Sequence, residues 1–307
     1  VLFLYVPCLA QQLPSFSLYR EYQSFLNPAA VPHDYFKDDI NAHIGISYRS
    51  QWEKFGDGAP VTGLLNGTYI SDQSTTKLIL GGSFLMDRTG PVNYYDANAK
   101  FGVMFSEDPL YGGFSAALTL GYKQLSLQTT KLIATDITEI LGNSDRYSTS
   151  SPDIGIGFFY HGRLQNEDHV YIGGSMPQLF SVNGLSSNVN RPGIKAVPHF
   201  YGLAGYIKYL NDYSFLETTS WIKYVQNTPI NVDLNLKYQL DQTLWLGFGL
   251  SSTKIFHAEA GIVLSSNIGW ETPIRIGYSF EDGFTEFANP FGMTHEISIS
   301  FAWDTRR

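Results

Sequence analysis

Short segments of alternating apolar and polar side chains recur from about residue 40 to the end of the chain, and this pattern constrains the fold most. In the last of them the apolar residues Ile297, Ile299 and Phe301 alternate with Ser298 and Ser300. A period of two sends one set of side chains to each face of a strand. Many strands with one apolar face and one small or polar face predict a membrane barrel with a wet interior.

Fourteen segments show this alternation, and several have close to the 9–11 residues that a tilted membrane strand needs. Their approximate spans are 40–50, 60–71, 76–87, 93–105, 112–126, 152–162, 168–176, 198–210, 213–225, 229–239, 242–252, 255–266, 272–281 and 292–304. The predicted fold is all-β: a transmembrane, antiparallel, up-and-down β-barrel of about 14 strands. The location that follows is the outer membrane, where the chain is integral and crosses the lipid bilayer many times.

Charged residues collect on the polar faces of these strands. A lysine or arginine that faces lipid at mid-bilayer costs about 2–4 kcal/mol. The faces that carry Lys100, Lys237 and Arg275 are therefore predicted to line the lumen. Further lumen candidates are Trp245, Tyr206 and Phe200. Aromatic residues near strand ends are predicted to form an interfacial belt, and they include Tyr48, Trp52, Tyr209, Trp221, Tyr224 and Trp303.

Composition is compatible with a membrane barrel or a soluble β-protein, and it argues against a helical membrane protein and a nucleic-acid-binding protein. The 307 residues are 43% hydrophobic, and Gly, Ser, Asn or a charge interrupts every apolar run before the roughly 20 residues that a transmembrane helix needs. Aromatic residues make up 15% of the chain, which suits the girdles of membrane barrels. A net charge of −8 argues against a nucleic-acid partner, which calls for a basic patch.

The chain divides into three parts. Residues 1–10, which contain the single cysteine Cys8, are apolar and are predicted to be the remnant of a signal peptide. Residues 11–39 do not alternate, and they are predicted to be an irregular N-terminal periplasmic segment that either contacts a periplasmic partner or plugs the lumen. Residues 40–307 are predicted to form the outer-membrane barrel.

Two long connections, 127–151 and 177–197, follow odd-numbered strands. Barrels of this class have short periplasmic turns and longer outer loops. With both chain ends in the periplasm, these two connections point outward. They are the candidates for contact with an external partner, because a rigid wall displays loops that tolerate change.

No catalytic, cofactor-binding or metal-binding residues are predicted, and the chain is not expected to be an enzyme. The sequence lacks a nucleophile elbow, a phosphate-binding loop and a His-Glu-x-x-His motif. His295 and Glu296 are neighbours in a strand and face opposite ways. His257 and Glu259 share a face, and the pair is interpreted as a hydrogen bond in the lumen.

A series of short motifs runs through the chain in a recognisable order. They are Gln12-Leu13-Pro14-Ser15-Phe16-Ser17, Phe25-Leu26-Asn27-Pro28-Ala29, Ser47-Tyr48-Arg49-Ser50-Gln51-Trp52, Pro229-Ile230-Asn231-Val232-Asp233-Leu234, Leu244-Trp245-Leu246-Gly247, Arg275-Ile276-Gly277-Tyr278-Ser279-Phe280 and Thr294-His295-Glu296-Ile297. This series resembles the PorP/SprF family of outer-membrane proteins, which is associated with type IX secretion and gliding motility. Segment 127–197 carries none of these motifs.

The resemblance implies a role in protein secretion without a reaction. The expected partners are a secreted adhesin or its C-terminal signal domain, which the barrel would bind and help to display or anchor, and periplasmic or outer-membrane components of the secretion machine. The alternative function is a passive outer-membrane channel, or porin, for small solutes. A soluble secreted β-sandwich that binds carbohydrate is a third possibility, which would lack a lipid-facing band.

Overall fold

A computed structural model describes residues 16–71, 75–128, 146–179, 197–226, 228–241, 243–265, 272–285 and 291–306. The fourteen strands are β1 Ala42–Ser50, β2 Val61–Ile70, β3 Thr76–Thr89, β4 Val92–Phe105, β5 Gly112–Gln128, β6 Arg146–Arg163, β7 His169–Gln178, β8 His199–Tyr209, β9 Phe215–Val225, β10 Asn231–Leu240, β11 Leu244–Ser251, β12 Ile255–Leu264, β13 Ile274–Gly283 and β14 Thr294–Trp303. A 3₁₀ turn at Tyr19–Tyr22 and two short helices, α1 Gln23–Leu26 and α2 His33–Asp38, precede them. None of the helices in these described ranges is long and apolar enough to cross a membrane.

The strands form one closed barrel in which each strand pairs antiparallel with its neighbours in sequence, and β1 pairs with β14. The register at this closure places Ile46 opposite Ile299. Closure leaves no unpaired sheet edge, which a hydrocarbon environment requires. The predicted transmembrane β-barrel of about 14 strands is confirmed.

The predicted assignment of strand faces agrees with the structure for most strands. Lys100 and Lys237 are buried inside the barrel, whereas Phe101 and Leu236 beside them are exposed on the outer wall. Trp245 also faces the lumen, as predicted.

The assignments for β8 and β9 contain errors. Phe200 and Tyr206 face outward instead of lining the lumen, whereas Tyr209 and Trp221 face inward instead of joining the interfacial belt. Trp221 faces inward because it lies an even number of residues after the buried Glu217 in β9, and the two side chains therefore share one face of the strand. The sequence of β8 is apolar on both faces, so its alternation does not distinguish them.

Strands β3 to β6 are longer than the rest, and the extra length lies on one side of the membrane. Their ends on the side where β1 begins and β14 finishes align with neighbouring strands, since β6 pairs Arg163 with His169 of β7. Beyond Ile154, which accepts a backbone hydrogen bond from Leu179, β6 pairs among the described residues only with β5, as far as Arg146. β5 has 17 residues, so about seven residues, or roughly 20 Å along the strand, exceed what a crossing needs.

This outer extension comprises residues 84–89, 92–97, 122–128 and 146–153, and its outer face is polar along β5 and β6, whereas Phe84 and Met86 of β3 are exposed apolar side chains. Along β5 the outward residues change from Leu118 and Leu120 to Tyr122 and Gln124. The hydroxyl of Tyr122 donates a hydrogen bond to Ser150 across the strand pair. The change from apolar to polar side chains marks the end of the hydrocarbon band, so the extension stands in water on the side of the longer loops.

The extension corrects the predicted loop 127–151. Residues 127–128 belong to β5 and residues 146–151 belong to β6, while 129–145 lie outside the described residues. Segment 146–151 is polar throughout and shows no alternation, so only its pairing with β5 reveals that it is a strand. Of the predicted loop 177–197, residues 177–178 end β7, and 180–196 lie outside the described residues.

A charge placed on the outer wall tests the position of the hydrocarbon band. Leu236→Arg, halfway along β10 on the outward face, is expected to lower the free energy of unfolding by about 2–4 kcal/mol. Ile230→Arg, just before the same strand, is the control and should cost about 0–1 kcal/mol. Urea titration of folding into phospholipid vesicles measures both values, and equal costs would contradict the proposed band.

Candidate functional site

The lumen is filled by residues 16–39, here called the plug. Ten of its apolar side chains are almost completely buried, namely Phe16, Leu18, Tyr19, Tyr22, Leu26, Ala29, Ala30, Val31, Tyr35 and Phe36. They pack against inward side chains of the wall, such as Trp221, whose ring centroid lies 5.0 Å from that of Tyr19. The main hydrophobic core therefore lies inside the barrel, around the plug.

The plug runs through the lumen from the outer end to the periplasmic end. Near its start, Ser17 contacts Glu281 and Glu296, which lie at the outer ends of β13 and β14. After α2, Asp39 pairs with Arg306 beside the last strand, at the end where β1 begins and β14 finishes. The described part of the 11–39 segment thus occupies the lumen, and it contains short helices rather than irregular chain alone. Contact of this segment with a periplasmic partner stays a prediction.

At the outer end, a buried arginine of β1 joins the plug to the closing strands. Arg49 forms ion pairs with Glu281 and with Glu296, 3.4 Å away in the second case. The same guanidinium donates a 2.9 Å hydrogen bond to the hydroxyl of Ser17. The backbone N–H of Ser17 donates to Glu296 at 2.7 Å. One arginine and two carboxylates thus position the first described residues of the plug.

In the middle of the lumen, charges of the plug pair with opposite charges of the wall. Arg20 lies against the carboxylates of Glu217, 3.6 Å away, and Glu259. Glu21 accepts a 3.2 Å hydrogen bond from Lys237. Burial alone raises the pKa of Glu21, but the lysine and a nearby arginine outweigh it and lower the pKa to about 2. The carboxylate is therefore ionised at every physiological pH.

At the periplasmic end, α2 is held by a second buried arginine. Arg275 of β13 donates two hydrogen bonds to the Asp34 carboxylate, one of 2.6 Å. The neighbouring His33 ring stacks on Phe36 with centroids 4.9 Å apart. Burial lowers the pKa of His33 to about 4, so this imidazole is neutral in the plug.

Wall glycines fit closely around a plug side chain, and wall serines bind the plug backbone. A Cβ on Gly157 or Gly173 would overlap the side-chain amide of Asn27. That amide donates a 2.9 Å hydrogen bond to the carbonyl of Phe158. The hydroxyl of Ser115 donates a 2.7 Å hydrogen bond to the carbonyl of Ala29. The wall thus satisfies backbone groups of the plug that make no hydrogen bond within a helix or sheet.

The two larger cavities of the lumen lie on opposite sides of the plug. The outer chamber, of about 190 Å³, includes Tyr19, Asp233 and His257 in its lining. The periplasmic chamber, of about 220 Å³, includes Arg20 and Lys237. Since consecutive plug residues line different cavities, the plug divides the space inside the barrel.

The predicted His257–Glu259 hydrogen bond is absent, although both side chains face the lumen. His257 contacts the side chain of Asn235, and Glu259 pairs with Arg20 of the plug. His295 faces outward and stacks on Tyr278, away from its sequence neighbour. Within the described ranges, no three His, Cys, Asp or Glu side chains are grouped so that they could hold a metal ion.

Removing one partner of the Asp34–Arg275 pair is expected to loosen the plug. Loss of one partner of a buried ion pair costs about 3–5 kcal/mol of stability. The cost of Asp34→Ala should lie at the lower end of this range, because the Arg275 side chain stays partly exposed to solvent. The readout is the rate of maleimide labelling at Ala29→Cys, a fully buried plug position, in a Cys8→Ser background. Asp38→Ala, an exposed change on the same helix, is the control and should have little effect. Equal rates in the two variants would contradict this anchoring role.

Acidification is expected to favour release of the plug through His33. Because the folded pKa is about 4 and the ordinary value is 6.5, the released segment binds more protons between these pH values. The stability of the plugged state therefore falls as pH drops through this window. The measured quantity is the rate of maleimide labelling at Ala29→Cys, divided by the rate for unfolded protein at the same pH. This ratio should rise as the pH is lowered from 7 to 5. The rise should be smaller in His33→Leu, and an unchanged pH profile in that variant would count against the assignment.

Comparison with solved structures finds other closed membrane barrels. The toluene transporter TodX of Pseudomonas putida superposes with a TM-score of 0.56 and 9% identity, over 91% of this chain and 92% of its own. The monoaromatic hydrocarbon channel CymD superposes with a TM-score of 0.57 and 11% identity, over 86% of this chain and 88% of its own. The toluene transporter TbuX of Ralstonia pickettii has a TM-score of 0.55 and 10% identity, over 92% of this chain and 93% of its own. At these identities the similarity shows the fold alone.

Sequence comparison supplies the family. No curated protein sequence matches this chain. The sequence profile described as "Type IX secretion system membrane protein PorP/SprF" matches residues 8–301, nearly the whole chain. Together with the closed 14-strand barrel, this match makes it an outer-membrane protein, and the chain belongs to the PorP/SprF family of type IX secretion membrane proteins.

Proposed function

We propose that this barrel is a non-catalytic binding platform that displays or anchors a secreted adhesin at the cell surface. The family membership provides the association with type IX secretion. The observation that favours binding over conduction is the plug, since it occupies the bore and is tied to the wall by hydrogen bonds of Ser17 at the outer end and by buried ion pairs in the middle and at the other end.

The outer extension is the part of the barrel best suited to hold a secreted protein. It stands roughly 20 Å beyond the shorter strands, and cross-strand hydrogen bonds such as Gln124 to Ser148 support it. A rigid strand pair can present the following connection at a fixed height, which a free loop cannot do. The adhesin, or its C-terminal signal domain, binds at this extension, while the periplasmic turns meet components of the machine.

Trimming the extension tests this proposal in the intact cell. In the trimmed variant a two-residue turn replaces residues 125–149 and joins Gln124 to Ser150, which are paired in the structure. A strain that carries it is expected to lose the adhesin from the surface, as a strain without the gene would. In the matched control, a short turn replaces residues 52–59 between Gln51 and Pro60, which are already linked by a backbone hydrogen bond. Normal adhesin display by the trimmed variant, with the barrel present in the outer membrane, would refute the extension as the binding element.

Conductance separates the platform from the passive channel. The purified wild-type barrel in a planar bilayer is expected to carry no steady, sizeable ion current, because the plug fills the lumen. The Asp34→Ala variant should show more frequent brief openings. A large constant current through the wild-type protein would favour the porin alternative.

A further inference from the structure

A groove of about 360 Å³ lies on the outer wall of the barrel, where β10 to β13 face the hydrocarbon. Its lining is almost entirely aliphatic and aromatic, and the lining side chains that point outward are Tyr238, Leu240, Leu244, Leu246, Ala260, Ile262, Ile276 and Tyr278. It is separate from the two chambers inside the lumen.

The strand register explains why the wall is indented here. One outward row runs from Tyr238 to Leu246, Ala260 and Tyr278, each paired with the next across the sheet. Ala260 is the single small side chain between two larger neighbours, so it leaves a gap in the row. The indentation is therefore centred on Ala260.

Beneath the groove, the wall consists of backbone without side chains on its inner face, and an indole in the lumen packs against it. Gly261 and Gly277 face inward as a cross-strand pair. A Cβ on Gly261 would overlap the indole of Trp245, which lies behind both glycines. On its other side, this indole contacts the Lys237 ammonium, 4.8 Å from a ring centroid. Because the wall is filled from within, its outer indentation is a fixed feature of the fold.

We propose that this groove binds one acyl chain of a phospholipid in the periplasmic leaflet. The groove is continuous with the lipid-facing band of the barrel, so hydrocarbon is the phase in contact with it. Leu244 begins β11 and Ile276 lies near the start of β13, which places the groove toward the periplasmic ends of these strands. An indentation whose lining is almost entirely aliphatic and aromatic fits a chain of methylene groups better than a polar group.

Filling the groove tests the proposal. Ala260→Phe places a ring in the gap, and Ala116→Phe is the matched control, since Ala116 also faces outward but lies on β5, half the barrel away. Wild-type protein purified in mild detergent is expected to retain one more phospholipid in native mass spectrometry than Ala260→Phe does. The control should match the wild type. Heat-modifiable migration on a gel confirms that each variant is folded.

A second measurement locates the chain. Phospholipids with brominated acyl chains quench nearby indoles, so the Trp245 emission, obtained by subtracting a Trp245→Phe spectrum, should be quenched in the wild type and less so in Ala260→Phe. Equal lipid retention and equal quenching in the wild type and Ala260→Phe would overturn the proposal. Retention of an acyl chain that is attached to a protein would also overturn it, because the occupant would then be a lipoprotein anchor.

Discussion

The requirement that every backbone polar group in a bilayer find a partner governs this structure. A sheet with a free edge would leave N–H and C=O groups facing hydrocarbon at a cost of several kcal/mol each. The pairing of β1 with β14 removes that edge. Closure in turn gives each strand one face toward the lumen and one face toward lipid. It also encloses a lumen, which is either filled by another part of the chain or occupied by water.

The filling of this space depends on a balance of burial and charge. The plug brings apolar residues into a lumen whose wall carries charged side chains, and it brings its own opposite charges with them. Arg20, Glu21 and Asp34 each meet a wall residue of opposite sign. Such pairs add little net stability compared with apolar packing, but a mispositioned plug would leave a buried charge unpaired. The pairs therefore specify one position for the plug.

The molecule is asymmetric across the membrane in a way that suits a display function. On the outer side, β5 and β6 rise above the hydrocarbon band as a hydrogen-bonded pair. On the periplasmic side, the described connections are short, and the C-terminal residues pair with the base of the plug through Arg306 and Asp39. Rigid strands project only toward the outside, and the lumen between the two faces is occupied.

The alternation of side chains determined the number of strands, most of their bounds and the side that faces lipid. A buried lysine such as Lys237 needs a wet or paired environment, so its face could be predicted without coordinates. The alternation was not informative where both faces are apolar, as around Phe200 and Tyr206, or where both are polar, as in residues 146–151. Periodicity reports a difference between two faces, and it is silent when the faces are alike.

The position of the plug is decided by tertiary structure alone. Residues 16–39 carry no periodic signal, and their charges are informative only beside their partners, which lie far away in sequence, as Asp34 lies far from Arg275. Pairing of that kind depends on how the closed wall arranges fourteen strands around a common axis. The sequence determined that a barrel must form, because each strand carries its own two-faced pattern. Only the folded chain decided what the barrel encloses, because that depends on contacts between distant segments.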